Sequence, residues 1–330
     1  MKKHQNNDRS KIEGSNDQPL KRNAQTDLIL KLVPILTKLS YPDVFRIASE
    51  IADHIDSTGQ DVEEIIRRLE TNEPWDHIKG TTSFHGNEFI VNKSVLIPRP
   101  ETEILVDLAF DSLYDHSRHS SPSVTSDISD TSDLTNFRKG SVRQTYEVID
   151  VGTGSGCIII SLKRLIDQIQ GLSGLVKSYR GLDISEEALT IARKNAVNIL
   201  GDENFIKFSH SELLNEYSES DPDTVKLITA NLPYVSWKEI DSLDPSVKDW
   251  EPHVALFDEQ DDGLGLTKNL MDEVILRFTR FILLFELDPS QIRSMERHLT
   301  DISHKGGSLE ISSHEDHLGR QRFLKIVKFL

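Results

Sequence analysis

The chain has 330 residues, 37% of them hydrophobic and 28% charged, which leaves room for one large domain, a smaller one and a substantial core. A formal charge of −16 argues against broad affinity for nucleic acid, whose phosphates must be neutralised by Lys and Arg. The single cysteine excludes an internal disulfide and a cysteine-based zinc site, so no metal is assigned, and it fits a reducing, cytoplasmic setting.

The first stretch, Met1–Gln25, is polar, mixed in charge and without apolar periodicity, and predicts a disordered tail over 1–26. It has no hydrophobic core of a signal peptide, and no apolar run anywhere approaches the roughly 20 residues that span a bilayer. Helical spacing then runs through Leu28, Leu32, Ile35, Val44, Ile47, Ile51, Ile55, Ile65, Ile66 and Leu69. Asn, Ser, Thr, Gly and Pro punctuate it, which predicts three or four short helices forming a small bundle over 27–75. Near-alternating Phe84, Phe89, Val91, Val95 and Ile97 around a His85-Gly86-Asn87 turn predict a β-hairpin connector over 76–100.

Leu96–Glu103 reads LIPRPETE, where Pro98 and Pro100 bracket Arg99 and stiffen the chain before a helix at Thr102–Leu113. Spacing leaves two roles open: a rigid lead-in to that helix, or a fixed lip over a binding pocket. The remainder, 101–330, reads as an α/β domain interrupted by a Ser/Thr/Asp-rich disordered insertion at about 115–145.

Inside that domain, Tyr146–Leu165 (YEVIDVGTGSGCIIISLKRL) is a buried strand ending near Asp150, a glycine turn, and a helix. The turn, Gly152-Thr153-Gly154-Ser155-Gly156, lacks the Gly-Lys-Ser/Thr of triphosphate loops, and Cys157 replaces the last glycine of a dinucleotide fingerprint. The G-x-G-x-G form suits backbone laid against S-adenosyl-L-methionine (AdoMet), which has no phosphate. A second strand, Ser178–Leu182, ends in Asp183, whose carboxylate can accept both ribose hydroxyls of a nucleoside. A helix follows at Ser185–Asn198, with Ser185 as its cap. Further strands are predicted at Phe205–Ser209, Val225–Thr229, Arg280–Leu287, Gly307–Ser312 and Gln321–Phe329, with a helix at Lys268–Phe278.

The strand at Val225–Thr229 runs directly into Asn231-Leu232-Pro233-Tyr234. A residue before proline is held extended, so the Asn231 side-chain oxygen and the Leu232 backbone carbonyl can act as two convergent acceptors. Pro233 fixes the loop and Tyr234 supplies a flat wall with a polar tip. Two acceptors suit an NH2 group on an sp² carbon: they orient a poorly nucleophilic nitrogen and stabilise the positive charge it develops. Positioning of the reactants contributes up to roughly 7–11 kcal/mol more.

Together LIPRPETE, DVGTGSGCI, GLDIS, NLPY, EPHVAL, DDGL and HLGRQRF resemble the HemK/PrmC-type protein-(glutamine-N5) methyltransferases. The resemblance implies a Rossmann-like class I AdoMet-dependent methyltransferase sheet in 101–330, preceded by a small helical domain that docks on peptide chain release factors. It implies methylation of the glutamine side-chain amide in the Gly-Gly-Gln motif of a release factor, with AdoMet held by Gly152–Gly156, Asp183, Leu213 and Asn231. Asn231–Tyr234 would then grip the glutamine. The chain is further expected to be a cytoplasmic monomer whose partner is a protein, without direct nucleic-acid or membrane contact. Three positions depart from the family: Leu232 for a usual Pro, Leu213 for a commonly aromatic residue, and Asp288 for a usual Gly. The competing readings are an RNA adenine-N6 methyltransferase, which Asn-Leu-Pro-Tyr also fits, and an AdoMet-binding scaffold without turnover. A nicotinamide-dependent oxidoreductase comes third.

Overall fold

The structure is a computed structural model and describes residues 18–119, 144–218, 221–306 and 309–329. The chain divides into two compact units, Met1–Ile78 and Lys79–Leu330.

The first unit is helical: α1 (Gln18–Lys38), α2 (Val44–Thr58), α3 (Val62–Glu70) and the start of α4 (Trp75–Lys79). The predicted apolar stripes converge, with Leu32, Leu36, Ile47, Ile51, Ile65, Leu69 and Trp75 in one cluster. Each helix end has its own device. The Asp61 carboxylate accepts from Glu63 N–H at the start of α3, and Gly59 closes α2 in the left-handed conformation. The Tyr41 hydroxyl accepts from the Trp75 amide at 3.0 Å, tying the α1–α2 turn to α4.

Two expectations need correction. Helix α1 begins at Gln18, inside the stretch read as a disordered tail, and runs through Pro34. Once a helix is nucleated by an apolar face, adding polar residues to its end requires little, and Pro19 sits in the first turn, where its missing N–H is not needed. The predicted insertion also begins too early. Helix α5 (Thr102–His119) continues past 115 because its last turns are anchored: Phe110 stacks on Tyr114, and His116 bonds to the Tyr146 hydroxyl at 2.7 Å and stacks on Phe329. The rest of the tail, 1–17, and positions 120–143 of the insertion lie outside the described residues.

The second unit opens with the hairpin β1 (Thr81–Phe84) and β2 (Asn87–Ile90), turned by His85-Gly86. After α5 come β3 (Tyr146–Val151), α6 (Cys157–Gln168), β4 (Val176–Asp183), α7 (Glu186–Leu200), β5 (Lys207–His210) and β6 (Val225–Ala230). A short pair, β7 (Val235–Ser236) and β8 (Phe257–Asp258), flanks α8 (Pro245–Lys248). The chain continues with α9 (Gly265–Arg277), β9 (Phe281–Glu286), α10 (Ile292–Gly306), β10 (Glu310–Glu315) and β11 (Gln321–Lys328).

Among the described residues the main sheet has seven strands in the order β10-β11-β9-β6-β3-β4-β5, parallel except for β11. This is a Rossmann-like, doubly wound α/β arrangement with one antiparallel strand near the edge. Strands β3, β6 and β9 are buried along their whole length, so alternate residues feed two different cores. Val148, Leu227, Ile282 and Leu284 pack with α5, α6 and α7 on one face. Ile149, Ile228, Leu283 and Phe285 pack with α9 and α10 on the other. The strand order reverses at β3, which places the crevice beyond the carboxyl ends of β3 and β6.

Candidate active site

The glycine turn after β3 is held by backbone donors and one buried acid. Gly152 and Thr153 N–H groups donate to the Leu182 carbonyl at 2.8 and 2.9 Å, docking the turn on the end of β4. Thr153 points inward: its hydroxyl donates to Asp150 at 2.7 Å, and Thr229 donates to the other oxygen of the same carboxylate at 2.8 Å. Asp150 is fully buried, and burial pushes its carboxyl up to about 7 against the pull of those two hydroxyls. At Gly152 (φ +71°) an added Cβ would come within 3.0 Å of Leu232, so the turn and the NLPY loop touch.

Asp183 closes the turn from the neighbouring strand. Its oxygens accept from Gly154 N–H at 2.8 Å and Ser185 N–H at 2.9 Å, while burial raises its carboxyl above the ordinary range. A Cβ on Gly154 would meet nothing within 4 Å, so the turn faces open space beside this carboxylate. That space, lined by a bare backbone and one acid at a strand end, fits a nucleoside-bearing cofactor. Ser155 is buried, and its carbonyl accepts from Asn195 of α7 at 2.9 Å. The same Asn195 exchanges two hydrogen bonds with Ile90, pinning the hairpin to the glycine turn. Leu213 lies in the loop after β5 with a left-handed φ of 48°, and this loop joins Asp183 through the Ser211 amide at 2.9 Å.

Asn231–Tyr234 leaves the end of β6, as expected, and Asn231, Leu232 and Tyr234 line a cavity of about 600 Å³. Both hydrogens of the Asn231 amide are engaged within the protein. Nδ2 donates to Thr102 Oγ1 at 3.2 Å and to Glu286 Oε2 at 3.1 Å, which leaves the amide oxygen as the free end. Tyr234 is packed so that burial, and then the negative Glu286, raise its phenol above the ordinary value. Behind it, Gly263 (φ +65°) is indispensable: a Cβ there would fall 2.0 Å from the Tyr234 carbonyl. Gln291 Nε2 donates to that same carbonyl at 2.9 Å.

Sequence reasoning did not find Glu286, Thr102 or Asn195. The signal for Glu286 was present as the one acid ending an otherwise apolar strand, RFILLFEL. Thr102 belongs to LIPRPETE, and the structure answers the question that spacing left open there. Arg99 grips both oxygens of buried Glu251 at 2.7 and 2.8 Å, and Thr102 contacts Asn231, so the segment buttresses the NLPY loop.

No family model matches the chain. A release factor glutamine methyltransferase of Koribacter versatilis is 32% identical over 212 residues, 64% of this chain and 61% of that protein. One from Leptospira interrogans is 35% identical over 59% of this chain and 55% of that protein, and one from Lactococcus lactis is 29% identical over 80% of each. By sequence the chain is similar to release factor glutamine methyltransferases. The match spans about six tenths of the length of the Koribacter relative. Among solved structures, a ribosomal protein L11 methylase from Lactobacillus delbrueckii subsp. bulgaricus is 18% identical over 71% of this chain and 82% of that chain, with a TM-score of 0.41.

Against the release factor glutamine methyltransferases, two of the three departures have a structural account. Leu232 is buried and packs toward Gly152, coupling the loop to the glycine turn. Asp288 has no positive φ, so its position does not require glycine. Its carboxylate accepts from Ser290 N–H and Oγ–H at 2.9 and 2.6 Å, capping the approach to α10. Nothing in the structure explains Leu213 in place of an aromatic residue.

Proposed function

We propose that the protein transfers a methyl group from AdoMet to the side-chain amide nitrogen of the glutamine in the Gly-Gly-Gln motif of a peptide chain release factor. One observation carries this reading: Asn231 lines the cavity and spends both N–H groups inside the protein, which leaves its oxygen as the acceptor. Gly152–Gly156, Asp183, Leu213 and Asn231 would hold AdoMet, which supplies an electrophilic methyl group. The Asn231 oxygen and the Leu232 carbonyl accept the two N–H bonds of the glutamine amide and turn its nitrogen lone pair outward. Their oriented dipoles stabilise the positive charge that grows there. Tyr234 and Pro233 wall the amide against water, and the nitrogen releases one proton to solvent as it becomes a secondary amide.

The cavity lining also favours a protein over a nucleic acid. It carries Glu239 and Asp288 besides Asp261 and Asp262, which pair with Lys238 and Lys268, and its one lysine or arginine, Arg99, is paired with Glu251. The helical 18–78 unit is assigned to release-factor docking, the enzyme to the cytoplasm, and the working state to a monomer. Purified protein with methyl-labelled AdoMet, a panel of release factors and ribosomes provides the test. Label on the glutamine of a release factor is expected; label in ribosomal RNA transfers the assignment to adenine-N6 methylation, and bound AdoMet with no transfer leaves a scaffold. N231A is expected to lower transfer by roughly 100-fold or more, with a smaller loss of AdoMet binding.

A further inference from the structure

The Asn231 amide can sit either way round: its oxygen and nitrogen occupy nearly the same volume, and only hydrogen bonding distinguishes them. Two side chains behind it decide. Glu286 ends β9 and Thr102 starts α5, and each is 2% exposed. Nδ2 of Asn231 reaches both, at 3.1 and 3.2 Å, and Thr102 also bonds to Glu286. An ionised carboxylate is acceptor-only, so it takes the NH2 end and repels the oxygen end. We propose that Glu286, steadied by Thr102, is a positioning residue that fixes the orientation of the Asn231 amide, so that an oxygen faces the substrate NH2.

This rests on the methyl-transfer reading above and adds what selects the acceptor. With the amide reversed, an NH2 group would confront the substrate's NH2, and two oxygens would face each other in a dry pocket. Protonation of Glu286 removes that preference, because its O–H can donate to the Asn231 oxygen and draw it inward. The groups facing Glu286 come from several elements: Arg322 of β11, Arg99 and Glu101 before α5, Tyr234 after β6, and Cys157 at the start of α6. Burial prevails over the Thr102 hydrogen bond and the arginines, and pushes the carboxyl up to about 7. Glu286 is therefore increasingly protonated below that value, and transfer rises with pH through it.

The test compares wild type, E286Q, T102V and T102S, with folding checked by circular dichroism. Wild-type kcat/KM is expected to show an acid limb with a midpoint near 7. E286Q removes the limb and lowers kcat at pH 8 by about tenfold, the low end for loss of an orienting partner behind a contacting group at metal sites. The AdoMet dissociation constant is expected to stay unchanged. T102V lowers kcat in the same way, T102S recovers most of it, and this pair carries the test if E286Q does not fold.

A second readout needs no turnover. In 15N-edited spectra, the Asn231 side-chain NH2 pair, assigned by its loss in N231D, moves with the same midpoint in wild type and stays still in E286Q. A limb that survives E286Q belongs to another group, such as Asp150, and overturns the proposal; so does an Asn231 pair that ignores pH. If wild type methylates no release factor while the Asn231 pair titrates and E286Q abolishes that titration, the substrate reading falls and the positioning role stands.

Discussion

The two ends of strand β3 each bury an acid, and they treat it in opposite ways. At the amino end, the oxygens of Glu147 accept from Ser178 at 2.8 Å, Arg180 at 2.5 Å and Tyr217 at 2.6 Å. The ammonium of Lys226, itself fully buried, lies 3.9 Å away. At the carboxyl end, Asp150 has only two hydroxyl donors, and Glu286 on β9 has an amide and a hydroxyl. Neither has an ion-pair partner within 4 Å among the described residues. Both are raised to about 7, chiefly by burial. A buried acid locked to cations holds strands together; one given neutral donors keeps a proton within reach and can orient a ligand-binding group. Asp150 and Glu286 sit where the crevice opens.

That contrast can be broken most severely at the amino end. E147A removes the carboxylate that buried Lys226 and Arg180 face, and is expected to destabilise the fold by about 3–5 kcal/mol. Urea unfolding measures the loss, and AdoMet binding by the molecules that remain folded is expected to be unchanged. A loss below about 1 kcal/mol would mean that the network is not structural.

The carboxyl end gives the next effect, through pH. Asp150 and Glu286 have folded values near 7, above those of an unfolded chain, so the folded state holds more protons between about pH 4 and 7. Their contribution to stability is present at low pH, falls as pH rises through that window, and is lost above 7. The drop is on the order of 3 kcal/mol for each group. D150N is expected to flatten the stability profile between pH 5 and 8, read from denaturation midpoints at each pH. A profile as steep as that of wild type would place the titration elsewhere.

The last effect concerns the loop that carries Tyr234. G263A forces a left-handed alanine, itself worth about 1–2 kcal/mol, to within 2.0 Å of the Tyr234 carbonyl, so the loop must shift and the loss in thermal or urea unfolding is expected to exceed that figure. It also displaces Tyr234, so methyl transfer falls more than AdoMet binding. Equal losses of both would show that the loop serves the cofactor instead.

Much of the fold was legible because it depends on short-range pattern. The apolar runs of β3, β6 and β9 and the glycine turn mark strand ends without reference to the rest of the chain. Boundaries were less legible: distant contacts with Tyr146 and Phe329 anchor α5 to His119, and polar residues extend the nucleated helix α1 back to Gln18. Within the site, the positions of Asn231 and Asp183 were readable. The partners that orient them were not: Thr102 meets Asn231 across 129 positions, and Asn195 meets Ile90 across 105.

The sequence by itself determined the class of sheet, the turn built of glycines and the acceptor-bearing loop, because φ preference, proline stiffness and apolar periodicity are properties of neighbouring residues. Only the tertiary structure decided which way the Asn231 amide faces and which acids hold a raised proton affinity. Hydrogen-bond complementarity and desolvation depend on what the fold brings into contact from opposite ends of the chain.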